Sequence, residues 1–124
     1  MFNHIVLFKL KDFQNDQIKS EIRDQIKNAL LGLKEKITEL KYIEVGNNFE
    51  LNASSFDIGL VTRFDSFENF EVYRDHPEHL KVVGLVRPNT VDRAVVDYSD
   101  WRGKTEGRKD WETEGLGDWD DWDD

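Results

Sequence analysis

The side chains best suited to chemistry in this sequence are Tyr73 and His79, which lie on either side of a proline. A histidine and a tyrosine within hydrogen-bond reach can remove a proton next to a carbonyl group, with the tyrosine donating to the developing enolate oxygen. Because they are six residues apart, a straight helix would hold them on nearly opposite faces. Pro77 disfavours the helical conformation at His76, so we predict a helix break that could bring the two rings together.

The same segment allows two other interpretations. His76 and His79 could ligate a metal ion, with Asp75 or Glu78 nearby. No third strong ligand has diagnostic spacing, and the His-Glu-x-x-His pattern of zinc hydrolases is absent, so we predict no metal. Alternatively, Tyr73 and the His-Pro-x-His turn only cap a cavity and hydrogen-bond the backbone.

Several other catalytic classes lack the residues they need. The sequence has no cysteine, which excludes disulfides, thiolate nucleophiles and Cys-ligated zinc or iron–sulfur centres. No glycine-rich loop follows a strand and opens a helix, so nothing supports nucleotide binding, and we predict no cofactor. The remaining charged candidates could orient a ligand or form salt bridges across a sheet or dimer. They are Asp57, Arg63, Arg93 and Asp97, all on predicted strands.

Length and charge restrict the partners. The 124 residues correspond to a single domain, and 17 basic against 26 acidic residues give a net charge of −9. This balance argues against a nucleic-acid partner and against a polybasic membrane anchor. No apolar run approaches the roughly 20 residues of a membrane span. No signal peptide is visible either, so we expect a cytoplasmic protein.

The acidity is concentrated at the C-terminal end. Residues 103–124 carry 3 basic and 9 acidic residues, and glycines interrupt any helical period. We interpret this segment as an acidic tail whose three tryptophans require a partner surface, either on its own domain or on a dimer mate. The domain itself is expected to span residues 1–102, with a net charge of only −3.

The residue pattern of that domain predicts an α+β fold with the order β-α-β-β-α-β. Alternating or apolar segments predict strands, and steps of three or four between apolar residues predict helices. The expected strands cover residues 2–10, 41–51, 56–64 and 90–99. One long helix is expected over residues 15–40 with Asn15 as its N-cap, and a second begins at Asp65 or Ser66 and breaks at Pro77. This order is that of a ferredoxin-like, four-stranded antiparallel sheet with helices on one face.

Such a sheet would leave one face without cover. The first and third strands carry large apolar groups on the face opposite the helices, a larger patch than soluble monomers usually expose. Two sheets packed face to face as a homodimer would bury it.

Several segments resemble the stress-responsive dimeric α/β-barrel (Dabb) family over about residues 1–99. They are the first strand from His4 to Lys11, the start of the third strand at Phe56, the Phe64-Asp-Ser junction, the Tyr-x-x-His-Pro-x-His motif from Tyr73 to His79, and the closing Val-Val-Asp-Tyr. The resemblance implies a dimeric ferredoxin-like barrel. Members of this family include a plant polyketide cyclase whose motif tyrosine and second motif histidine form the catalytic pair, so the resemblance implies that role for Tyr73 and His79.

The resemblance further implies that His4 points into the same cavity, and we expect Phe8, Phe64 and His76 to contact a ligand with it. The implied function is binding of a small apolar or aromatic compound in the barrel cavity, with cofactor-independent lyase or cyclase chemistry. The first alternative is a non-catalytic protein with a stress-related structural or assembly role. The second alternative is a cofactor-free or haem-type monooxygenase on the same architecture. Membership of a fold does not decide among them.

Overall fold

The computed structural model describes residues 1–49 and 55–99, which form a four-stranded sheet and its helices. The elements in chain order are β1 (Phe2–Leu10), α1 (Asp16–Leu31), α2 (Leu33–Lys36), β2 (Tyr42–Asn47), β3 (Ile58–Phe64), α3 (Phe67–Asp75), α4 (Pro77–Val86), a 3₁₀ turn (Arg87–Asn89) and β4 (Thr90–Ser99). The predicted β-α-β-β-α-β order and the ferredoxin-like fold are confirmed. The predicted acidic tail, residues 103–124, lies outside the described residues.

The sheet has the strand order β2-β3-β1-β4, and every neighbouring pair is antiparallel. Side chains alternate between its faces because successive residues of a strand point to opposite sides. In β1 the even-numbered residues are buried against the helices. Leu7, one of the odd-numbered residues, remains 40 % exposed on the opposite face. We call these the inner, helix-covered face and the outer face of the sheet.

The first helix is shorter than the apolar pattern predicted. Asn15 is the N-cap, as expected, and its Oδ1 accepts a hydrogen bond from the Ile18 amide at 2.8 Å. The prediction of one helix over residues 15–40 is wrong, since α1 ends at Leu31 and Gly32 separates it from the single turn of α2. Glycine costs about 1 kcal/mol in a helix interior and favours such an interruption. The apolar stripe nevertheless continues into the core, where Ile37 and Leu40 are buried beyond the helix ends.

The second helical region divides where the proline predicts. Ser66 caps α3 and accepts a hydrogen bond from the Asn69 amide at 3.1 Å, so of the two predicted starting residues the cap is Ser66. His76 has extended backbone angles, φ −67° and ψ 137°, and α4 begins at Pro77. A proline at the first helical position loses no hydrogen bond, because that amide has no partner within the helix.

The core lies between the inner face and the helices, and a cluster of aromatic rings fills one end of it. Phe70 lies at its centre, with ring centroids 4.9 Å from Phe2, 5.5 Å from Phe64 and 6.3 Å from Tyr73. Aromatic pairs at 4.5–7 Å add to the free energy gained from burial alone. This cluster fixes α3, and with it Tyr73, against the inner face of β1.

No helix in the described part of the chain is both long and apolar enough to cross a membrane. Within the same ranges, no group of three or more His, Asp or Glu residues is arranged to hold a metal ion.

Candidate functional site

Tyr73 and His79 are in contact, with their ring centroids 4.4 Å apart. Tyr73 lies in the last turn of α3 and is only 1 % exposed, whereas His79 lies in the first turn of α4. The change of direction at His76 brings the two rings together, which a continuous helix would hold on different faces. The structure therefore contains the tyrosine–histidine pair that the sequence predicted from the position of Pro77.

The same helix break fixes the hydrogen bonding of His79. In a continuous helix the Glu78 amide would donate to the carbonyl oxygen of Arg74. Here that amide donates instead to Nδ1 of His76 at 3.0 Å. Nδ1 of His79 lies 2.8 Å from the Arg74 carbonyl oxygen. A carbonyl oxygen only accepts, so Nδ1 of His79 carries the proton and Nε2 keeps its lone pair.

The surroundings of His79 keep its ring neutral. Burial lowers the pKa of His79 from 6.5 to about 4, and repulsion from His4 and Arg93 acts in the same direction. The hydrogen bond to Arg74 and the charge of Asp75 oppose that change but do not offset it. At neutral pH His79 is therefore an uncharged imidazole with an available acceptor nitrogen.

A second histidine, His4, is held by a carboxylate on the neighbouring strand. Its Nδ1 lies 2.5 Å from Oδ1 of Asp97, its partner across β1 and β4. Both side chains are buried, and Oδ2 of Asp97 has no hydrogen-bond partner among the described residues. A carboxylate that accepts from a histidine N–H fixes the orientation of the ring.

His4, Tyr73 and His79 line one cavity between the inner face of the sheet and the helices. The cavity has a volume of ≈ 40 Å³, and the cleft that includes the adjoining open solvent measures ≈ 450 Å³. Since about 10–15 Å³ holds one water molecule, the cavity has room for a few waters or a small chemical group. Its walls are His4, Val6, Phe8, Leu30, Leu60, Tyr73, His79, Val82, Val83, Val86 and Arg93.

Four of the six predicted site residues lie on this cavity, namely His4, Phe8, Tyr73 and His79. The other two have structural positions. Phe64 is fully buried in the aromatic cluster, and His76 caps α4, the backbone role that the alternative interpretation gave to this turn. The cavity also differs in place from the expectation, because it lies between one sheet and its own helices rather than between two sheets.

Asp97 and Arg93 are the polar groups whose position the sequence left open. Both are on the inner face of β4, where Asp97 lies opposite His4 and Arg93 lies opposite Phe8. An antiparallel pairing of the first and last strands that aligned their ends would have matched these residues. The residue pattern alone does not specify which strands are neighbours.

Comparison with known proteins gives consistent similarities. A family model described as the stress-responsive A/B barrel domain (Dabb) matches residues 2–100. A dimeric protein of unknown function with a ferredoxin-like fold from Bacteroides fragilis NCTC 9343 is 34% identical, with a TM-score of 0.70 over 79% of this chain and 94% of that chain. A dimeric ferredoxin-like protein of unknown function from Thermobifida fusca is 30% identical, with a TM-score of 0.68 over 79% and 89% of the two chains.

A more distant solved structure is a hydroxynitrile lyase from Passiflora edulis. It is 19% identical, with a TM-score of 0.68 over 82% of this chain and 96% of that chain, and this likeness concerns the fold alone. No curated protein matches this chain.

Proposed function

The chain belongs to the stress-responsive A/B barrel (Dabb) family, and from this membership and the cavity we propose that it forms a homodimer that binds a small apolar or aromatic carbonyl compound. Each subunit holds the compound between its sheet and helices. Tyr73 and His79 act on it as an acid–base pair without a cofactor, in a lyase or cyclase reaction.

The observation that carries this proposal is the convergence of His4, Tyr73 and His79 on one otherwise largely apolar cavity. Ligand sites are typically apolar with a few converging polar groups. A histidine with a strongly shifted pKa in such a cavity is a candidate for catalysis, because burial that shifts a pKa is common at active sites. His79 has both properties.

The proposed chemistry follows from the tautomer of His79, which has its proton on Nδ1 and a lone pair on Nε2. Nε2 of the neutral His79 takes a proton from the carbon next to the carbonyl group, and the electron pair moves to the carbonyl oxygen. The Tyr73 hydroxyl donates a hydrogen bond to that oxygen and stabilises its charge. A base with a pKa of about 4 is weak, so this stabilisation of the enolate is needed for the proton transfer. In one course Nε2 returns the proton to the carbon. In the other, the enolate carbon attacks a second carbonyl group of the same compound, and Nε2 gives its proton to the alkoxide oxygen that this attack creates.

The lyase from Passiflora edulis supports this proposal only through the fold, which accommodates lyase activity in that protein. The two relatives at 34% and 30% identity are described as dimeric, which supports the homodimer. Exposed apolar side chains on the outer face support it as well, since Leu7, Tyr42, Val96 and Tyr98 are each at least 40% exposed. A groove of ≈ 430 Å³ beside Leu7, Gly46 and Gly59 offers space for side chains of a second copy.

The acid–base role is tested by the exchange of α-protons of butanone and acetophenone in D₂O, followed by NMR. We expect the wild type to accelerate exchange, and His79→Gln to lose about 10²–10⁴-fold of that acceleration. Tyr73→Phe should lose about 10²–10³-fold, as expected when an oxyanion donor is removed. His76→Asn is the matched control, because asparagine also caps a helix and the residue does not line the cavity.

Binding is measured separately, by NMR titration of the same two ketones against wild type and His79→Ala. Equal affinities would remove His79 from the site. Binding without any exchange would contradict the catalytic part of the proposal and leave a binding protein.

The small volume of the cavity favours a second candidate, a non-catalytic protein with a structural role under stress. At ≈ 40 Å³ the enclosed space is far smaller than common ligand pockets. In that case neither ketone would bind to the wild type.

A further inference from the structure

The pair formed by His4 and Asp97 has no part in the acid–base chemistry proposed for this cavity. His4 is on the cavity wall, whereas Asp97 is not one of the wall residues. Both side chains are buried, and Nδ1 of His4 lies 2.5 Å from Oδ1 of Asp97. The second oxygen, Oδ2, makes no hydrogen bond within the described residues. In this part of the chain, holding His4 is therefore what the Asp97 carboxylate does.

A structural role alone does not explain why these two residue types are buried here. A carboxylate loses its hydration on burial, and a single hydrogen bond offsets only part of that loss. Two residues further along the same strands, Val6 lies opposite Val95 and both pack into the core. Apolar side chains thus join β1 to β4 without burying a charge. The His4–Asp97 pair is better explained by what it presents to the cavity.

The carboxylate determines which nitrogen of His4 is left to meet a ligand. A carboxylate oxygen only accepts hydrogen bonds, so Nδ1 of His4 carries a proton. Nε2 is on the other side of the ring, and the ring makes no second hydrogen bond to any described residue. In the neutral ring Nε2 has a lone pair and is a hydrogen-bond acceptor.

We infer that Nε2 of His4 accepts a hydrogen bond from a hydroxyl group of the bound compound, and that Asp97 is the positioning residue that keeps this nitrogen free of a proton. The inference rests on the proposed function and specifies the class of compound as small hydroxy ketones. The carbonyl oxygen of such a compound lies at Tyr73 and His79, and its hydroxyl group lies at His4. Addition of an enolate carbon to a second carbonyl group yields a β-hydroxy ketone, so the product of the proposed reaction belongs to this class.

The alternative is that His4 is only a member of the aromatic cluster. Its ring centroid lies 4.7 Å from that of Phe70, and such a contact does not depend on which nitrogen carries the proton. In that case a hydroxyl group on the ligand would not affect its affinity. Removal of the Asp97 carboxylate would then change only stability.

The test uses three small ketones of equal size that differ in hydrogen bonding. They are 4-hydroxybutan-2-one, whose hydroxyl group donates, methoxyacetone, whose ether oxygen only accepts, and pentan-2-one, which has neither group. Dissociation constants are measured by NMR titration against the wild type. We expect 4-hydroxybutan-2-one to bind about three- to tenfold more tightly than pentan-2-one, the usual effect of one hydrogen bond. Methoxyacetone should bind no more tightly than pentan-2-one.

Variants then assign the preference to the pair. His4→Leu should abolish the preference for the hydroxyl group, whereas His4→Gln, whose side-chain oxygen also accepts, should keep part of it. Asp97→Asn should weaken it, because an amide both donates and accepts and no longer fixes the tautomer. Asp57→Asn is the matched control, since Asp57 is also a buried carboxylate but does not line the cavity. It should keep the full preference, and all variants are first compared by thermal unfolding.

A spectroscopic measurement on the wild type tests the tautomer directly. Two-bond ¹H–¹⁵N correlations of the histidine rings show which nitrogen carries the proton, and His76→Asn and His79→Gln assign the signals. We expect the proton of His4 on Nδ1, and a shift of its Nε2 signal on binding of 4-hydroxybutan-2-one but not of pentan-2-one. In Asp97→Asn the Nε2–H tautomer should appear. A proton on Nε2 of His4 in the wild type would overturn the inference.

The outcomes separate the two proposals. Equal affinities for 4-hydroxybutan-2-one and pentan-2-one, or a preference that survives His4→Leu, would overturn the hydroxyl inference while leaving a cavity that binds ketones. Preferential binding of methoxyacetone would also overturn it, because His4 would then be a donor. Failure of all three ketones to bind the wild type would contradict the proposed function itself, and the inference would fail with it.

Discussion

The two faces of the sheet place side chains of similar composition in opposite environments. On the inner face, Phe2 and Val6 are at most 2 % exposed, and the polar His4 between them is paired with a buried carboxylate. On the outer face, Leu7 and Val96 are 40 % and 53 % exposed. The hydrophobicity of single residues therefore does not distinguish the inner face of this sheet from the outer face. The position of a residue in the alternation does.

Because of this alternation, β1 contributes side chains both to the cavity on the inner face and to the exposed outer face. Of the odd-numbered positions of β1, Leu7 is exposed on the outer face, whereas Asn3 is buried. The even-numbered positions are all buried, and His4, Val6 and Phe8 line the cavity. We therefore expect mutations on the inner face to affect folding and the histidines, and mutations on the outer face to affect association between copies.

The largest effect should come from Phe70, the centre of the aromatic cluster on the inner face. Phe70→Ala is expected to lower the free energy of unfolding by about 3–5 kcal/mol, because it removes a fully buried ring and leaves a cavity. Chemical denaturation at a fixed protein concentration measures the change. Val72→Ala is the control on the same helix, since Val72 is 46% exposed, and it should change stability by less than about 0.5 kcal/mol. Similar losses for both would contradict the assignment of the inner face as the core.

The next largest effect should be a loss of folding stability in acid, caused by His79. Above pH 6.5 His79 is neutral in both the folded and the unfolded chain and contributes no pH dependence. Below pH 6.5 the unfolded chain binds a proton, while the folded chain does not until about pH 4. Stability should therefore fall over this window, by up to about 3 kcal/mol. Carboxylates titrate here too, so the measured quantity is the difference between wild type and His79→Gln in denaturation experiments from pH 7 to pH 4. Parallel profiles would show that His79 is not buried as a neutral ring.

A smaller effect is expected on the outer face. Leu7→Ala should weaken the dimer by about 2 kcal/mol, or roughly 30-fold in dissociation constant, because each copy loses about 1 kcal/mol of apolar burial. Analytical ultracentrifugation measures the constant. The Val72→Ala variant should leave it unchanged, as its site is on a helix. If Leu7→Ala dissociates no more readily than wild type, the outer face is not the dimer interface.

The smallest effect separates capping from ligand binding at His76. His76→Ala should cost about 1 kcal/mol of stability through loss of the N-cap of α4, and His76→Asn should restore most of it. Neither variant should weaken the affinity for the probe ketones beyond what the loss of stability explains. An affinity loss in His76→Asn at full stability would return His76 to the binding site.

The local features were the ones that the sequence could predict. The alternation in β1, the cap at Asn15 and the break at Pro77 each depend on residues close together in the chain. The end of α1 was not predicted because apolar residues continue at helical spacing past Gly32, through α2 and beyond its end at Lys36.

The less predictable features depend on pairing between distant strands. His4 and Asp97 are 93 residues apart in the sequence, and nothing in either segment states that their strands are neighbours. The same holds for Arg93, whose place on the wall depends on the register between β1 and β4. Phe64 was predicted to contact a ligand but lies in the aromatic cluster, because a buried phenylalanine on the inner face can equally fill a core or line a cavity.

The break at Pro77 has a consequence for how such sites are compared. Because a proline disfavours the helical conformation of the residue before it, His76 is extended, and the Glu78 amide bonds His76 while the Arg74 carbonyl oxygen bonds His79. A residue that does not line the cavity thereby determines which nitrogen of His79 carries its proton. Two relatives could share every side chain on the cavity wall and still differ in reactivity if only one of them has this proline. The tautomer of His79 is set by a main-chain carbonyl group.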